Sequence, residues 1–258
     1  MRMHRVCLCA SVTDTFPETR VGLLLAVGLN NAIAWTEVSR ALADLEDRVQ
    51  RGVHTPFTEN DPEVRGWHEV FRAFGTNPRK FRPSLDALSR RLSRSGALPR
   101  INPAVDAYNL VSLTFGVPAG AFDADTLGEI VAIRTSRAGD RFTPLGEPQT
   151  VESPNPAEVV YADGDRVLTR HWNYRDAEAT KVTPTTVNAL FCMDRARVES
   201  PIHQHKPPNI GKTVVRHQYG GRTQRVPHEQ GGGISMSFDE FGQDVARMLK
   251  GPVAGPGG

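Results

Sequence analysis

Three steps of Asp or Asn into Pro, at Asp61-Pro62, Asn77-Pro78 and Asn102-Pro103, punctuate the first half of the chain and limit its folding more than any other feature. Proline fits the first turn of a helix but not its interior, and a preceding Asp or Asn is a natural cap. Each step therefore closes one segment and allows a helix to begin. After Asp61-Pro62, Val64, Trp67, Phe71 and Phe74 recur every three or four residues up to Gly75, which predicts a helix burying an aromatic stripe. His68, beside Trp67, is expected to be partly exposed. Beyond Asn77-Pro78, Pro83-Ser84 starts a helix with Leu85, Leu88 and Leu92 inward and Arg90, Arg91 and Arg94 elsewhere. Asn102-Pro103 opens another, with Val105, Tyr108, Val111 and Phe115 on its apolar face and Gly116 and Pro118 at its end. Upstream, the apolar run 21–29 reads as a buried strand or tight apolar turn, and Val38, Leu42, Leu45 and Val49 predict a helix.

The second half changes period. Residues 129–135 read as a strand, and 159–161 and 167–172 form an expected hairpin about the Asp163-Gly164 turn. A short helix is expected over 185–193. With no alternation of strand and helix strong enough for a doubly wound sheet, the class is α+β, and 1–193 form one domain. Residues 194–235 dissolve into His, Gly, Pro, Gln and Arg, the pattern of a mobile excursion. Phe238, Phe241, Val245 and Leu249 then predict a docking helix over 236–250, before a frayed tail over 251–258.

A chain of 258 residues that is 39% apolar can bury a substantial core. Its longest apolar stretch, 21–29, is about half a membrane span and follows Asp14, Glu18 and Arg20, so neither a membrane helix nor an export signal is expected. A cytoplasmic location follows as the expectation. Cys7, Cys9 and Cys192 suit neither a disulfide framework nor a complete zinc site and read as inert thiols. The 31 basic and 29 acidic residues leave a net charge of +2, unevenly spread. Residues 79–100 carry seven basic side chains and one acidic, and 195–229 carry seven and two. Arg79, Lys80, Arg82, Arg90, Arg91 and Arg94 are thus candidate contacts for a polyanion, although a solvated helix face explains them equally well.

No dinucleotide or phosphate-binding glycine loop, metalloprotease helix, nucleophile elbow or deaminase zinc pattern is present, and no cofactor is expected. His203, His205, His217 and His228 read as members of a polar loop rather than metal ligands. The densest polar constellation is Arg170-His171-Trp172-Asn173-Tyr174-Arg175-Asp176, followed by Thr180 and Lys181. On a strand, Arg170 and Trp172 share a face, while Asn173, Arg175 and Asp176 beyond its end suit a polar ligand; an Arg-Asp pair locking the turn is the structural alternative. A second cluster, Asn102, Asp106 and Asn109, has the carboxylate and amides to hold an α-amino acid. Its alternatives are a simple N-cap for Asn102 and an internal hydrogen bond for Asp106.

Several short motifs occur in order: Phe81-Arg-Pro-Ser84-Leu-Asp-Ala-Leu88, Leu98-Pro-Arg-Ile-Asn102-Pro-Ala-Val-Asp106-Ala-Tyr-Asn109, Gly128-Glu-Ile-Val-Ala-Ile-Arg134, residues 142–146, Glu158-Val-Val-Tyr-Ala-Asp163, and Arg170 to Asp176 with Thr180-Lys181. Together they resemble the B3/B4 domain of the phenylalanyl-tRNA synthetase beta subunit and its freestanding relatives, from about Phe71 to Phe191. The resemblance implies an α+β fold with a central, mainly antiparallel or mixed sheet and packed helices. It implies a pocket that takes the misattached amino acid of an aminoacyl-tRNA and hydrolyses the ester, with tRNA as partner. No complete ligase fits beside the matched region. In such a hydrolase, Asp106 or Asp176 would orient water or hold the amino group, with Asn173 the third catalytic candidate. Asn102, Asn109, Arg134, Arg170, Trp172, Arg175, Thr180 and Lys181 would bind substrate. After Phe191 the sequence departs from the family pattern, which keeps open an aminoacyl-tRNA-dependent biosynthetic enzyme or a noncatalytic module binding tRNA or an amino acid.

Overall fold

The computed structural model describes residues 4–195, together with the backbone of residues 215–218 and 224–225. The expected helix over 236–250, the tail over 251–258 and most of the excursion over 194–235 lie outside the described residues. Two sheets and a set of helices make up the fold, which is α+β. The chain begins with β1 (Arg5–Leu8), a one-turn α1 (Ala10–Thr13) and β2 (Arg20–Val27). Four helices follow: α2 (Thr36–Gln50), α3 (Pro62–Ala73), α4 (Ser84–Ser95) and α5 (Pro103–Phe115). Prolines at the first positions of α3 and α5, and Gly96 and Gly116 in left-handed conformation after α4 and α5, set four of these boundaries. The strands β3 (Ala119–Asp123), β4 (Ile130–Thr135), β5 (Val159–Asp163), β6 (Arg166–Arg170) and β7 (Arg175–Asp176) come next. They precede β8 (Asn188–Arg195), β9 (Val215–Gln218) and β10 (Gln224–Arg225).

One sheet has the order β1-β4-β5-β6-β7 and the other β10-β9-β2-β8-β3. Both are mixed: β1 lies parallel to β4 and β2 parallel to β9, whereas the remaining pairs are antiparallel. The helix expected over 185–193 is instead β8, which lies between β2 and β3. A strand buried on both faces reads as a continuous apolar run, and Ala-Leu-Phe-Cys-Met has no alternation to distinguish it from a short helix. Its two faces serve different cores. Ala189, Phe191 and Met193 pack with α2 and α5, through Val38, Leu42, Ala107 and Val111. Leu190 and Cys192 pack toward the other sheet and α3, with Val131, Ile133, Tyr161, Trp67 and Phe71.

Contrary to the expected partial exposure, His68 is 3% exposed. Its Nε2 lies 3.0 Å from Oδ2 of Asp86 in α4, whose carboxylate also accepts from Arg82 and Arg90. The helical period placed His68 on α3 correctly, but a partner 18 residues away in sequence draws it inward.

Candidate functional site

Alternation along the strands aims one set of polar groups into the space between the sheets. Thr169 of β6 stands opposite Tyr161 of β5 and Asp176 of β7, and its hydroxyl donates to Asp176 Oδ1 at 2.7 Å. From the facing sheet, Asp194 of β8 accepts the Tyr161 hydroxyl at 2.6 Å and is 5% exposed. Among the described residues, neither Asp176 nor Asp194 has an ion-pair partner. Burial pushes the Asp176 carboxyl up to about 6, against the Thr169 hydrogen bond. Asp194 rises to about 7, chiefly by burial and further by the charge of Asp176. The Trp172 indole and Asn173 amide lie close enough to favour the Asp194 anion, yet neither closes a hydrogen bond, although both residues are buried. A buried amide without partners is costly unless it serves a ligand or water.

A small cavity lies at the nearby sheet edge, between Ala107, Tyr108 and Val111 of α5 and Gly120, Phe191 and Cys192 of β3 and β8. Gly120 connects it to the acidic pair, because a Cβ built there would stand 4.0 Å from Asp176 Oδ2. Burial, reinforced by Asp176, raises the Tyr108 phenol, so it remains a neutral hydroxyl. Cys192 is likewise raised well above an ordinary thiol by burial and by Asp194, consistent with the inert thiol expected from sequence.

Of the sequence candidates, Asn173 and Asp176 lie in this neighbourhood. Trp172 reaches it only with its indole nitrogen; its rings pack on Trp67 and Phe16 at centroid distances of 5.2 and 5.6 Å. The arginines occupy the opposite face of the sheet. Arg134 donates to both carboxylate oxygens of Asp140 at 2.7 and 2.8 Å and is 2% exposed. Arg170 binds Glu158 and Glu152, and Arg175 donates to Glu147. Pairing explains the separation: Arg170 is opposite Arg175, one step from the opposed Thr169 and Asp176, so the two pairs point to opposite faces. Thr180 is buried, and Lys181 pairs with Glu178.

The cluster on α5 divides in the same way. Asn102 caps the helix by accepting from Val105 N, accepts from the Asn31 amide and donates to Val182 O. Asp106 accepts from Ile101 N at 3.1 Å, and Asn109 is half-buried. Asp194, Tyr161, Tyr108 and Gly120 were not singled out as site residues in the sequence. For Asp194 the available signal was an acidic residue two positions beyond Cys192, visible only once 188–195 is recognised as a strand.

On the surface, Arg79, Lys80, Arg91 and Arg94 are exposed. Arg82 and Arg90 engage Asp86, and Arg79 and Arg90 reach Glu59. No group of three or more metal-ligating side chains occurs among the described residues, and no described helix is long and apolar enough to cross a membrane.

The family model "B3/4 domain" matches residues 66–204, more than half of the chain. The phenylalanine–tRNA ligase beta subunit of Nocardia farcinica is 41% identical over 76 residues, covering 30% of this chain and 9% of that protein. Its counterpart in Latilactobacillus sakei is 30% identical over 138 residues, covering 52% and 16%. The chain thus spans less than a fifth of the length of either relative. An N-terminal fragment of the phenylalanyl-tRNA synthetase beta subunit from Pyrococcus horikoshii aligns over 77% of this chain and 46% of its own, at 13% identity and a TM-score of 0.38.

Proposed function

This chain belongs to the B3/4 domain family, and on that premise we propose that it binds the aminoacyl end of a tRNA and hydrolyses the ester of a mischarged one in trans. The observation that carries the reading is the pair of carboxylates Asp176 and Asp194, without ion-pair partners among the described residues, set beside Gly120, Tyr108 and Asn173, whose amide has no hydrogen-bond partner among them either. Asp176, with its carboxyl near 6, takes a proton from water at neutral pH. The water oxygen attacks the ester carbonyl carbon, the bond to the ribose oxygen breaks, and that oxygen takes up a proton. Free amino acid and deacylated tRNA are the products. Asn173 donates to the carbonyl oxygen as it gains charge. The basic face around Lys80, Arg91 and Arg94 receives phosphates, so affinity for tRNA falls as salt rises. A cytoplasmic site of action, where charged tRNA is available, is part of the same proposal.

The test is a panel of aminoacyl-tRNAs incubated with the purified protein, with products identified. Release of free amino acid from a subset is expected, and a panel deacylated only at the spontaneous rate overturns the hydrolase. A saturable complex without turnover would identify a binding module, and amino acid appearing on another acceptor would identify transfer. Gly120→Val places a branched side chain between the cavity and Asp176. It is expected to weaken aminoacyl-tRNA binding about tenfold or more while shifting the melting temperature little; unchanged affinity would exclude the space between Gly120 and Asp176 as the acyl site.

A further inference from the structure

Resting on that reading, we propose that Phe81 and Tyr174 form a stacking platform for an unpaired base at the end of the bound RNA. Their rings meet edge to face at a centroid distance of 5.3 Å, and His171 backs Phe81 at 4.3 Å, tilted by 33°. His171 is fully buried and Phe81 half-buried, whereas Tyr174 is 36% exposed, so the stack ends at the surface with an aromatic ring. Lys80 Nζ lies over the Phe81 ring at 5.1 Å, and the Arg79 side chain is 71% exposed beside it. An aromatic surface with adjoining cations is the chemistry that holds single-stranded nucleic acid, because every base has a face to stack and every nucleotide a phosphate.

The platform is fixed before any ligand arrives. Phe81 N and Lys80 N both donate to Asn77 O, which closes a tight turn. The second turn contains His171 and Trp172 at φ of 46° and 68°, a left-handed pair of large residues that is strained without compensation from its surroundings. Compensation comes from Thr76 Oγ1 bonded with His171 Nδ1 at 2.8 Å and from Ser84 N donating to Asn173 O at 3.0 Å. These bonds tie the two turns together. The strained turn also links surface to interior: Asn173 is buried beside Asp194, and the next residue, Tyr174, is exposed. A nucleotide stacked on Tyr174 would therefore lie one residue along the chain from the groups assigned to its acyl ester.

Binding of uncharged tRNA, intact or trimmed of its unpaired 3′ nucleotides, measured over a salt series, tests the assignment. Tyr174→Ala is expected to weaken intact tRNA about tenfold without changing the salt slope, which reports phosphate contacts. Tyr174→Trp should retain affinity, and trimmed tRNA should bind wild type and Tyr174→Ala equally. Equal binding of intact tRNA by wild type and Tyr174→Ala overturns the platform alone, as does equal binding of intact and trimmed tRNA by wild type. If wild type binds neither RNA, the underlying reading falls together with the platform.

Discussion

Arg170→Met is expected to lower the free energy of unfolding by about 3–5 kcal/mol, a large fraction of the roughly 5–15 kcal/mol that holds a domain together. Nε and Nη2 of Arg170 donate to the two oxygens of Glu158 at 2.9 and 2.7 Å, and Nη1 donates to Glu152 at 2.6 Å. Glu158 is 1% exposed and also accepts from His171 N and Asn155 N. Removing the guanidinium leaves a carboxylate buried without its counter-charge, which costs more than the pair contributed. The double variant Arg170→Met with Glu158→Gln should recover much of the loss. Urea unfolding with an unchanged slope is the measurement. A single variant of wild-type stability that has lost its ligand would falsify this structural role and restore Arg170 as a substrate anchor.

Asp176→Asn is expected to lower ester hydrolysis by about 100-fold and to abolish the rise in rate as pH passes through about 6. The accompanying effect on stability has the opposite sign. In the unfolded chain both aspartates lose their protons near the ordinary carboxylate value of 3.8, whereas the folded protein holds them to about 6 and about 7. The native state therefore binds more protons between about 4 and 7, and its stability falls as pH rises across that window. Asp194→Asn should flatten this fall and make the protein about 2–4 kcal/mol more stable at pH 8. His171 acts in the other direction. Burial lowers its imidazole from 6.5 to about 4, so it binds fewer protons when folded and loses stability as pH drops through that interval. Because the unfolded imidazole titrates around 6.5, its contribution fades only above about pH 7.5, so thermal melting follows the difference between wild type and Asp194→Asn, in which His171 cancels. A melting temperature with unchanged pH dependence in this variant would refute a buried, proton-retaining Asp194.

The helices were legible because their signals are local. Asp61-Pro62 and Asn102-Pro103 start α3 and α5, and the apolar spacing after each identifies its buried face. The β5-β6 hairpin was legible for the same reason, through Asp163-Gly164. Long-range pairing escaped. β8 looked like a helix, so Asp194 was not recognised as a residue aimed between the sheets. The charged run 170–176 was correctly seen as dense, but its alternation about β6 and β7 divides it. Asp176 faces the cavity side, whereas Arg170 and Arg175 face Glu158 and Glu147. Asn102 was visible as a cap, but its amide contact with Asn31, 71 residues away, has no local trace.

The position of β8 also bears on how the chain acquires its shape. Arg195 lies opposite Arg20 and Asn188 opposite Val27, while the other edge of the same strand pairs with β3. Helices α2 to α5 can form from nearby residues, but β8 reaches β2 only by closing a loop of more than a hundred residues. During synthesis from the N-terminus, Leu24 and Ala121 must remain without Phe191, their shared neighbour, until residues 188–195 have emerged. Asp194 enters on that same strand, so the wall between the two cores and the chemistry set into it are completed in one late event.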